Sequence, residues 1–240
     1  MSGGRALMRA PALEARGLSR AYGRLEALRD FSLALDAGEC VALVGANGSG
    51  KSTAVRLLAG LLAPTAGEVR VCGADPHTEP DAQRARAHLA LVPDQPLLYG
   101  DLTVREHLEL VAVAHGVQEF EPRIDALLER LGIANRRDFR PAELSRGMRQ
   151  KAQLACALVR PAEVLVLDEP VVGLDPPSQE LLVTILAERK AAGSAVLLTT
   201  HQLGFAEEIA DRAIRLDEGV AVDSGSPREV AARAAARGWA

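Results

Sequence analysis

The sequence predicts an α/β fold with a mainly parallel sheet. Short strand-like runs alternate with helical runs along the 240 residues, a length that can bury a sizeable core. The runs "CVALVG", "EVLVLDEP" and "SAVLLTTH" are continuously apolar and end in glycine or polar residues. Because a strand without a polar face must be covered on both sides, these runs are typical of buried strands in a parallel sheet.

The elements of this core begin at the first apolar strand. The segment "KSTAVRLLAG" (Lys51–Gly60) is expected to form a helix that stops at Gly60, and "TAGEVRVCG" is expected to form a turn and a strand. Near the end of the chain, "SPREVAARAAA" predicts a last helix. Its start has Ser226 as N-cap, Pro227 at the first helical position and Glu229 as the acid of a capping box.

A helical insertion is expected within the α/β core, from about Thr103 to Arg160. The segment "TVREHLELVAVAHG" begins with a capping box formed by Thr103 and Glu106. The next helix, "PRIDALLERLG", ends at Gly132. The third, "SRGMRQKAQLACALV", has Ser145 as its N-cap.

Composition excludes several classes of protein. Hydrophobic residues make up 48% and charged residues 25%, which is typical of a soluble globular chain, and a net charge of −4 gives no basic excess for nucleic acid. Cys40, Cys72 and Cys156 lie far apart without metal-ligand spacing, which favours a reduced intracellular compartment. We expect no secretory signal and no membrane helix, because every apolar run is short.

The segment "GANGSGKST" matches the pattern G-x-x-x-x-G-K-S/T between a predicted strand and a predicted helix. Glycines let the backbone approach an anion, and the N–H groups of the loop and helix start then point at phosphate oxygens. A lysine at this position reaches the β- and γ-phosphates, and the following hydroxyl holds Mg²⁺. The predicted nucleotide-binding residues are Gly45, Asn47, Gly48, Ser49, Gly50, Lys51, Ser52 and Thr53, with Ser52 also a metal ligand.

Two acids end the apolar run "VLVLDEP". The carboxyl ends of parallel strands are where α/β sheets bind ligands. Asp168 is therefore expected to hold Mg²⁺ through its water shell. Glu169 is expected to orient or deprotonate the attacking water. A solvated turn containing two acids is the alternative interpretation.

The ordered set of motifs resembles the ATP-binding subunit of an ABC transporter. The phosphate loop, the helical insertion, "LSRGM", "LVLDEP", "GLDP" and "TTH" follow in that order and cover nearly the whole chain. The resemblance implies a single domain with a P-loop NTPase core and an N-terminal antiparallel β portion. Its expected parts are a core at 1–90 and 161–225, a helical subdomain at 91–160 and a C-terminal helix at 226–240.

The segment "LSRGMRQ" (Leu144–Gln150), called the signature turn below, resembles a turn that completes the ATP site of a facing subunit in this family. The resemblance implies that Ser145 supplies a hydroxyl and Gly147 an N–H to the γ-phosphate. The usual family turn reads Leu-Ser-Gly-Gly-Gln, so Arg146 replaces a glycine and Met148 replaces the glutamine. This variant resembles an exporter-type subgroup.

A second departure lies in "LVPDQPLLYGDLT". The family normally has a glutamine directly after "VP", which contacts Mg²⁺ and links the core to the helical subdomain. Here Asp94 occupies that position and Gln95 follows it. A carboxylate is a suitable magnesium ligand, so Asp94 is a candidate metal residue, and a plain surface loop is the alternative.

Three further residues resemble family positions. Tyr22 resembles the aromatic that stacks on adenine, and Asp175 the aspartate of a loop that crosses the dimer interface. His201 resembles the switch histidine that contacts the γ-phosphate and the catalytic acid, so it is the second predicted catalytic residue beside Glu169.

The resulting expectation is a subunit that binds ATP and Mg²⁺ and powers a transporter, with export favoured by the subgroup. Its partners would be a second nucleotide-binding subunit, identical or different, and an integral membrane permease contacting the segment Pro93–Leu102, which includes Leu97, Leu98 and Tyr99. Its location would be cytoplasmic, at the inner face of the membrane. A cluster-assembly ATPase remains the alternative. A GTPase is disfavoured because the Asn-Lys-x-Asp motif is absent.

Overall fold

The sheet that carries the site has six strands, which are β3 (Cys40–Val44), β5 (Leu89–Val92), β6 (Val164–Asp168), β7 (Ala195–Thr200), β8 (Arg212–Asp217) and β9 (Val220–Gly225). It is parallel except at one edge, in the order β5-β6-β7-β3-β8-β9. The computed structural model describes residues 10–236. Strands β3, β6 and β7 are buried at every position, as their apolar runs predict.

A second, antiparallel sheet has the order β2-β1-β4. Its strands are β1 (Leu13–Tyr22), β2 (Leu25–Leu35) and β4 (Ala66–Val71). It shares a hydrophobic core with α1 (Lys51–Leu58), and alternate residues of β3, Val41 and Leu43, point into that core. The expected P-loop core with an N-terminal antiparallel β portion is therefore confirmed.

The opposite face of the parallel sheet is covered by helices. Cys40, Ala42 and Val44 of β3 join a core formed with residues of the helical insertion. Both faces of the sheet are thus packed, which explains why its strands lack polar positions. The remaining helices are α2 (Asp81–His88), α3 (Val104–Ala114), α4 (Phe120–Arg130), α5 (Arg146–Leu158), α6 (Pro176–Ala191), α7 (Leu203–Ile209) and α8 (Pro227–Ala236).

The predicted helix caps are present. Thr103 and Glu106 form the reciprocal capping box of α3, and the Ser145 side chain accepts a hydrogen bond from the Met148 amide at the start of α5. Ser226 caps α8. Helix α4 begins at Phe120, two residues before the expected start, because a proline at 122 is tolerated in the first turn of a helix.

The expected parts of the chain map onto these elements with one overlap. Strand β5 continues to Val92 and pairs with β6, so it crosses the expected boundary between residues 90 and 91. The short helix α2 precedes β5, and the sequence patterns did not predict it. Residues 1–9 and 237–240, the ends of the first and last expected parts, lie outside the described residues.

Candidate functional site

A cavity of about 650 Å³ lies at the carboxyl ends of β3 and β6. The phosphate loop follows β3 and the two acids come at the end of β6, so parallel pairing brings both motifs to one edge of the sheet. The predicted residues that line this cavity are Asn47, Gly48, Gly50, Lys51, Ser52, Thr53, Asp94 and Glu169.

The phosphate loop has a backbone path that requires glycine at two positions. Gly50 is the N-cap of α1 with φ 104°, and a Cβ built on it would lie 2.7 Å from the carbonyl oxygen of Ala27. A Cβ on Gly45 would lie 2.5 Å from the carbonyl oxygen of Leu216. Since Gly50 has no side chain to cap α1, the first N–H groups of that helix remain available to an anion.

Lys51 is 5% exposed, although it carries a charge. Its Nζ donates hydrogen bonds to the carbonyl oxygens of Gly45, at 2.8 Å, and Ala46, at 3.1 Å. Oε1 of Glu169 lies 3.5 Å from the same nitrogen. The ammonium is therefore held where the loop curves around the cavity, a position suited to an anionic ligand.

The second oxygen of Glu169 contacts His201. Nδ1 of His201 and Oε2 of Glu169 are 2.9 Å apart, and because an ionised carboxylate can only accept, Nδ1 is the donor. Glu169 has φ 47°, a left-handed conformation that is rare outside glycine. Its backbone N–H donates to Oγ1 of Thr199 at 2.9 Å, which fixes this backbone conformation beside β7.

Asp168 is buried at the end of β6. Burial raises the pKa of the Asp168 carboxyl above its ordinary value, and the neighbouring charges of Asp94 and Glu169 act in the same direction. Hydrogen bonds from Thr199, at 2.5 Å, and from Ser52 act in the opposite direction.

These neighbours form an oxygen-rich set suited to a hard divalent cation. Magnesium takes oxygen ligands and is commonly held by one or two carboxylates together with substrate phosphates. Asp168, Asp94 and the Ser52 hydroxyl fit that pattern. Within residues 10–236, no group of three or more His, Cys, Asp or Glu side chains is arranged to hold a metal ion.

The signature turn lies on a different cavity, of about 210 Å³. Ser145 and Gly147 line it, and none of the described residues lines both this cavity and the one at the phosphate loop. Asp175 lines it too and caps α6 by accepting a hydrogen bond from the Ser178 amide. The other lining residues are Met148, Lys151, Gly173 and Leu174.

Comparison with known proteins identifies the family of this chain. A family model described as "ABC transporter" matches residues 28–172. The chain belongs to the ABC transporter ATP-binding family. ATP binding, and the ATPase activity that the family implies, follow from this membership.

Relatives of this ABC ATP-binding chain are ATP-binding proteins of transporters. It is 35% identical to the ABC-type transporter ATP-binding protein EcsA of Bacillus subtilis over 86% of this chain and 84% of the relative. It is 37% identical to the Nod factor export ATP-binding protein I of Rhizobium leguminosarum over 90% of this chain and 70% of the relative.

Solved structures agree with this family membership. An ATP-binding subunit of an ABC transporter superimposes with a TM-score of 0.86 at 35% identity, covering 95% of each chain. The dimeric bacterial ABC transporter cassette MJ0796 gives a TM-score of 0.81 at 26% identity, covering 90% of this chain and 99% of the cassette. Among residues 10–236 of the ABC ATP-binding chain, no helix is both long and apolar enough to cross a membrane.

Tyr22 is placed differently from the other predicted nucleotide contacts. Its side chain is exposed at the end of β1, and the guanidinium carbon of Arg20 lies 4.7 Å from its ring centre. The lining of the first cavity instead includes the β-hairpin residues Arg24, Leu25, Glu26 and Ala27. Gln95 is exposed, whereas Asp94 lines the cavity.

Sequence reasoning did not identify Thr199, which joins both acids of the site. Its Oγ1 donates to Asp168 and accepts from the Glu169 amide. The available signal was its position at the end of an apolar strand, two residues before His201. The hairpin residues Glu218 and Gly219, between β8 and β9, also line the cavity and carried no motif.

Proposed function

We propose that this chain hydrolyses ATP at shared sites in a pair of subunits and thereby powers an exporter through an integral membrane permease. The observation that carries the proposal is the position of Glu169, whose two oxygens lie near Lys51 and His201 at the phosphate-loop cavity. This places a proton acceptor beside the lysine expected to hold the transferred phosphate.

The phosphate loop is proposed to hold the triphosphate. The backbone N–H groups of Gly48 to Thr53 and the start of α1 would bind the β- and γ-phosphate oxygens, and Lys51 would exchange its carbonyl partners for phosphate. The remaining proposed contacts are Gly45, which permits the close turn, Asn47 and Ser49.

Glu169 is proposed to accept a proton from the water that attacks the γ-phosphorus. A bond forms from the water oxygen to phosphorus while the bond to the β–γ bridging oxygen breaks, which releases ADP and inorganic phosphate. His201, held against Glu169, would contact the γ-phosphate and orient the carboxylate. This role needs only positioning, which is the main contribution of proteins to phosphoryl transfer.

Magnesium, when bound, neutralises the developing charge on the β- and γ-phosphates. Ser52 and Asp94 would hold it from the cavity side, and Asp168 would hold its water shell. The donor set supports this assignment because all three side chains offer oxygen and Asp168 interacts with both others.

We propose head-to-tail pairing because the signature turn has its own cavity, separate from the phosphate loop. Ser145 and Gly147 of one protomer would meet the γ-phosphate held by its partner, aided by the positive N-terminus of α5. The similarity to a dimeric ABC transporter cassette supports this arrangement. The helical part that carries the turn is assigned to residues 91–160, between core segments 1–90 and 161–225, with 226–240 as the C-terminal part.

The membrane role rests on the relatives and on one exposed segment. Several relatives are Nod factor export ATP-binding proteins, which favours export over import and over cluster assembly. Leu97 and Tyr99 are 73% and 67% exposed in the Pro93–Leu102 segment, and they form an apolar surface for a permease at the inner face of the membrane.

The test is affinity purification of the tagged full chain from detergent-solubilised membranes, followed by identification of bound integral proteins. The L97D/Y99D variant serves as a matched control, since it removes the apolar surface and leaves the cavity lining unchanged. We expect a multi-span protein with the wild-type chain and its loss with the variant. Recovery of soluble assembly factors without an integral protein would instead favour cluster assembly.

A further inference from the structure

We propose that Arg146 is a positioning residue that connects the signature turn to the loop carrying Glu169. This inference rests on the proposed function, in which the signature turn contacts ATP held by the partner. Arg146 occupies a position where the family turn usually has glycine, so a side-chain contact here is a property of this chain rather than of the usual motif.

Arg146 packs across Gly173, in the loop that follows Glu169. A Cβ built on Gly173 would lie 3.3 Å from Nε and 3.4 Å from both Cγ and Cδ of Arg146. The neighbouring backbone also approaches the loop closely, because a Cβ built on Gly147 would lie 2.8 Å from the carbonyl oxygen of Gly173. The arginine stem and the Gly147 backbone therefore hold Gly173 from the side of α5.

The loop from Glu169 to Asp175 is internally bonded, so a displacement at Gly173 reaches Glu169. The Val172 amide donates to the Glu169 carbonyl at 3.2 Å, and the Leu174 amide donates to the Val171 carbonyl at 3.1 Å. Val171 is fully buried, and Asp175 caps α6. Closely packed segments have low compressibility and transmit strain, so the loop offers a route from Gly173 to Glu169.

A physical path therefore runs from the signature turn to the carboxylate of the same chain. ATP held by the partner would fix Ser145 and Gly147. Arg146 would transmit that fixed position to Gly173, and the loop would then hold Glu169 in its left-handed conformation with φ 47°. Each protomer would thus adjust its own Glu169 according to the nucleotide bound by the other.

The experiment measures amide hydrogen exchange with and without MgATP in the E169Q chain, in which slow hydrolysis preserves the closed pair. We expect ATP to slow exchange by about tenfold or more in residues 145–148 and 171–174. Adding the R146A substitution should preserve the protection of residues 145–148 and remove the protection of residues 171–174. R146K retains the aliphatic stem and should preserve protection in both segments. The control variant R136A, which removes an arginine that stacks on Phe139, should do the same.

The outcomes separate this inference from the proposed function. Failure of the E169Q chain to pair with ATP in size-exclusion chromatography counts against the shared site itself. Pairing with retained protection of residues 171–174 in R146A overturns the role of Arg146. Loss of pairing in R146A alone also overturns it, since Arg146 would then belong to the interface. With Glu169 intact, R146A should lower kcat about fivefold while KM for ATP stays unchanged.

Discussion

His201 and Glu169 are joined by a hydrogen bond of 2.9 Å between Nδ1 and Oε2, at the carboxyl ends of two adjacent parallel strands. The other carboxylate oxygen lies 3.5 Å from Lys51, and the backbone of Glu169 is held by Thr199. The carboxylate thus has a partner on each oxygen, and the backbone that carries it is held by a third residue. Glu169, the proposed general base, therefore faces the cavity without the need for a large rearrangement.

Replacing Glu169 by glutamine should remove most hydrolysis and preserve ATP binding. Glutamine has nearly the same size and retains a hydrogen bond to His201, but it cannot accept the proton of water. Phosphate release should therefore fall by roughly 10²–10⁴-fold. Nucleotide binding, measured with a fluorescent ATP analogue, should change little. Turnover close to that of the unaltered chain would remove Glu169 from the catalytic step.

Replacing His201 by alanine should slow hydrolysis more than it weakens ATP binding. Loss of the imidazole leaves Glu169 without its lateral partner, so kcat should fall by about tenfold or more with little change in KM. His88 supplies the control, because its Nδ1 also lies 3.0 Å from a carboxylate, that of Glu163, away from the cavity. H88A should leave both constants unchanged. Equal losses of kcat and affinity in H201A would contradict a switch role.

Short sequence patterns, such as apolar runs and helix caps, were sufficient to predict the core elements and much of the candidate site. The strand before Gly45 and the strand before Asp168 are continuously buried, so their apolar runs identified both. Parallel strands place their carboxyl ends at one edge, which is why motifs about 120 residues apart line one cavity. Ser145 and Thr103 followed from capping chemistry, which depends only on neighbouring residues.

Contacts between distant segments were not predictable in this way. Nothing near Arg146 in the sequence indicates that it packs on Gly173. Tyr22 resembles the family aromatic through its place in the sequence, whereas the contact of Arg20 with its ring and the cavity lining by residues 24–27 are features that no motif indicates. Such placements depend on how elements distant in the sequence pack together, which no local pattern encodes.

Asp168 should lower the stability of the nucleotide-free chain near neutral pH. Its pKa is raised chiefly by burial, so the folded chain binds a proton there more tightly than the unfolded chain. The ionised group therefore costs stability at neutral pH, and the cost disappears as pH falls toward the ordinary aspartate value of about 3.9. D168N should have a higher Tm than the unaltered chain at neutral pH, with the difference shrinking on acidification.

Asp175 provides a control for that measurement, because the pKa of its carboxyl is shifted in the opposite direction. Hydrogen bonding by Ser178 lowers the pKa of the Asp175 carboxyl, so this group contributes stability at neutral pH that is lost in acid. D175N should thus be less stable than the unaltered chain at neutral pH, with the difference shrinking on acidification. Adding MgATP should raise the Tm of the unaltered chain more than that of D168N. A D168N chain that is less stable at neutral pH without nucleotide would contradict the account of Asp168.

A mixture of two inactive variants should regain ATPase activity if the sites are shared between protomers. K51A removes the phosphate-binding lysine, and S145D puts a negative charge where the γ-phosphate would meet the signature turn. Aspartate is as good an N-cap as serine, so α5 should remain capped in S145D. S226D is the matched control, because Ser226 caps α8 away from both cavities and its replacement should leave activity unchanged.

In a mixed head-to-tail pair, the phosphate loop of the S145D chain faces the intact signature turn of the K51A chain. The second site of that pair combines both defects. Random pairing of equal amounts should then restore about a quarter of the activity of the unaltered chain, provided that the two sites act independently. If each chain used its own signature turn, every site in the mixture would carry one defect. The mixture would then hydrolyse ATP no faster than its separate components, and Ser145 would act in the site of its own chain.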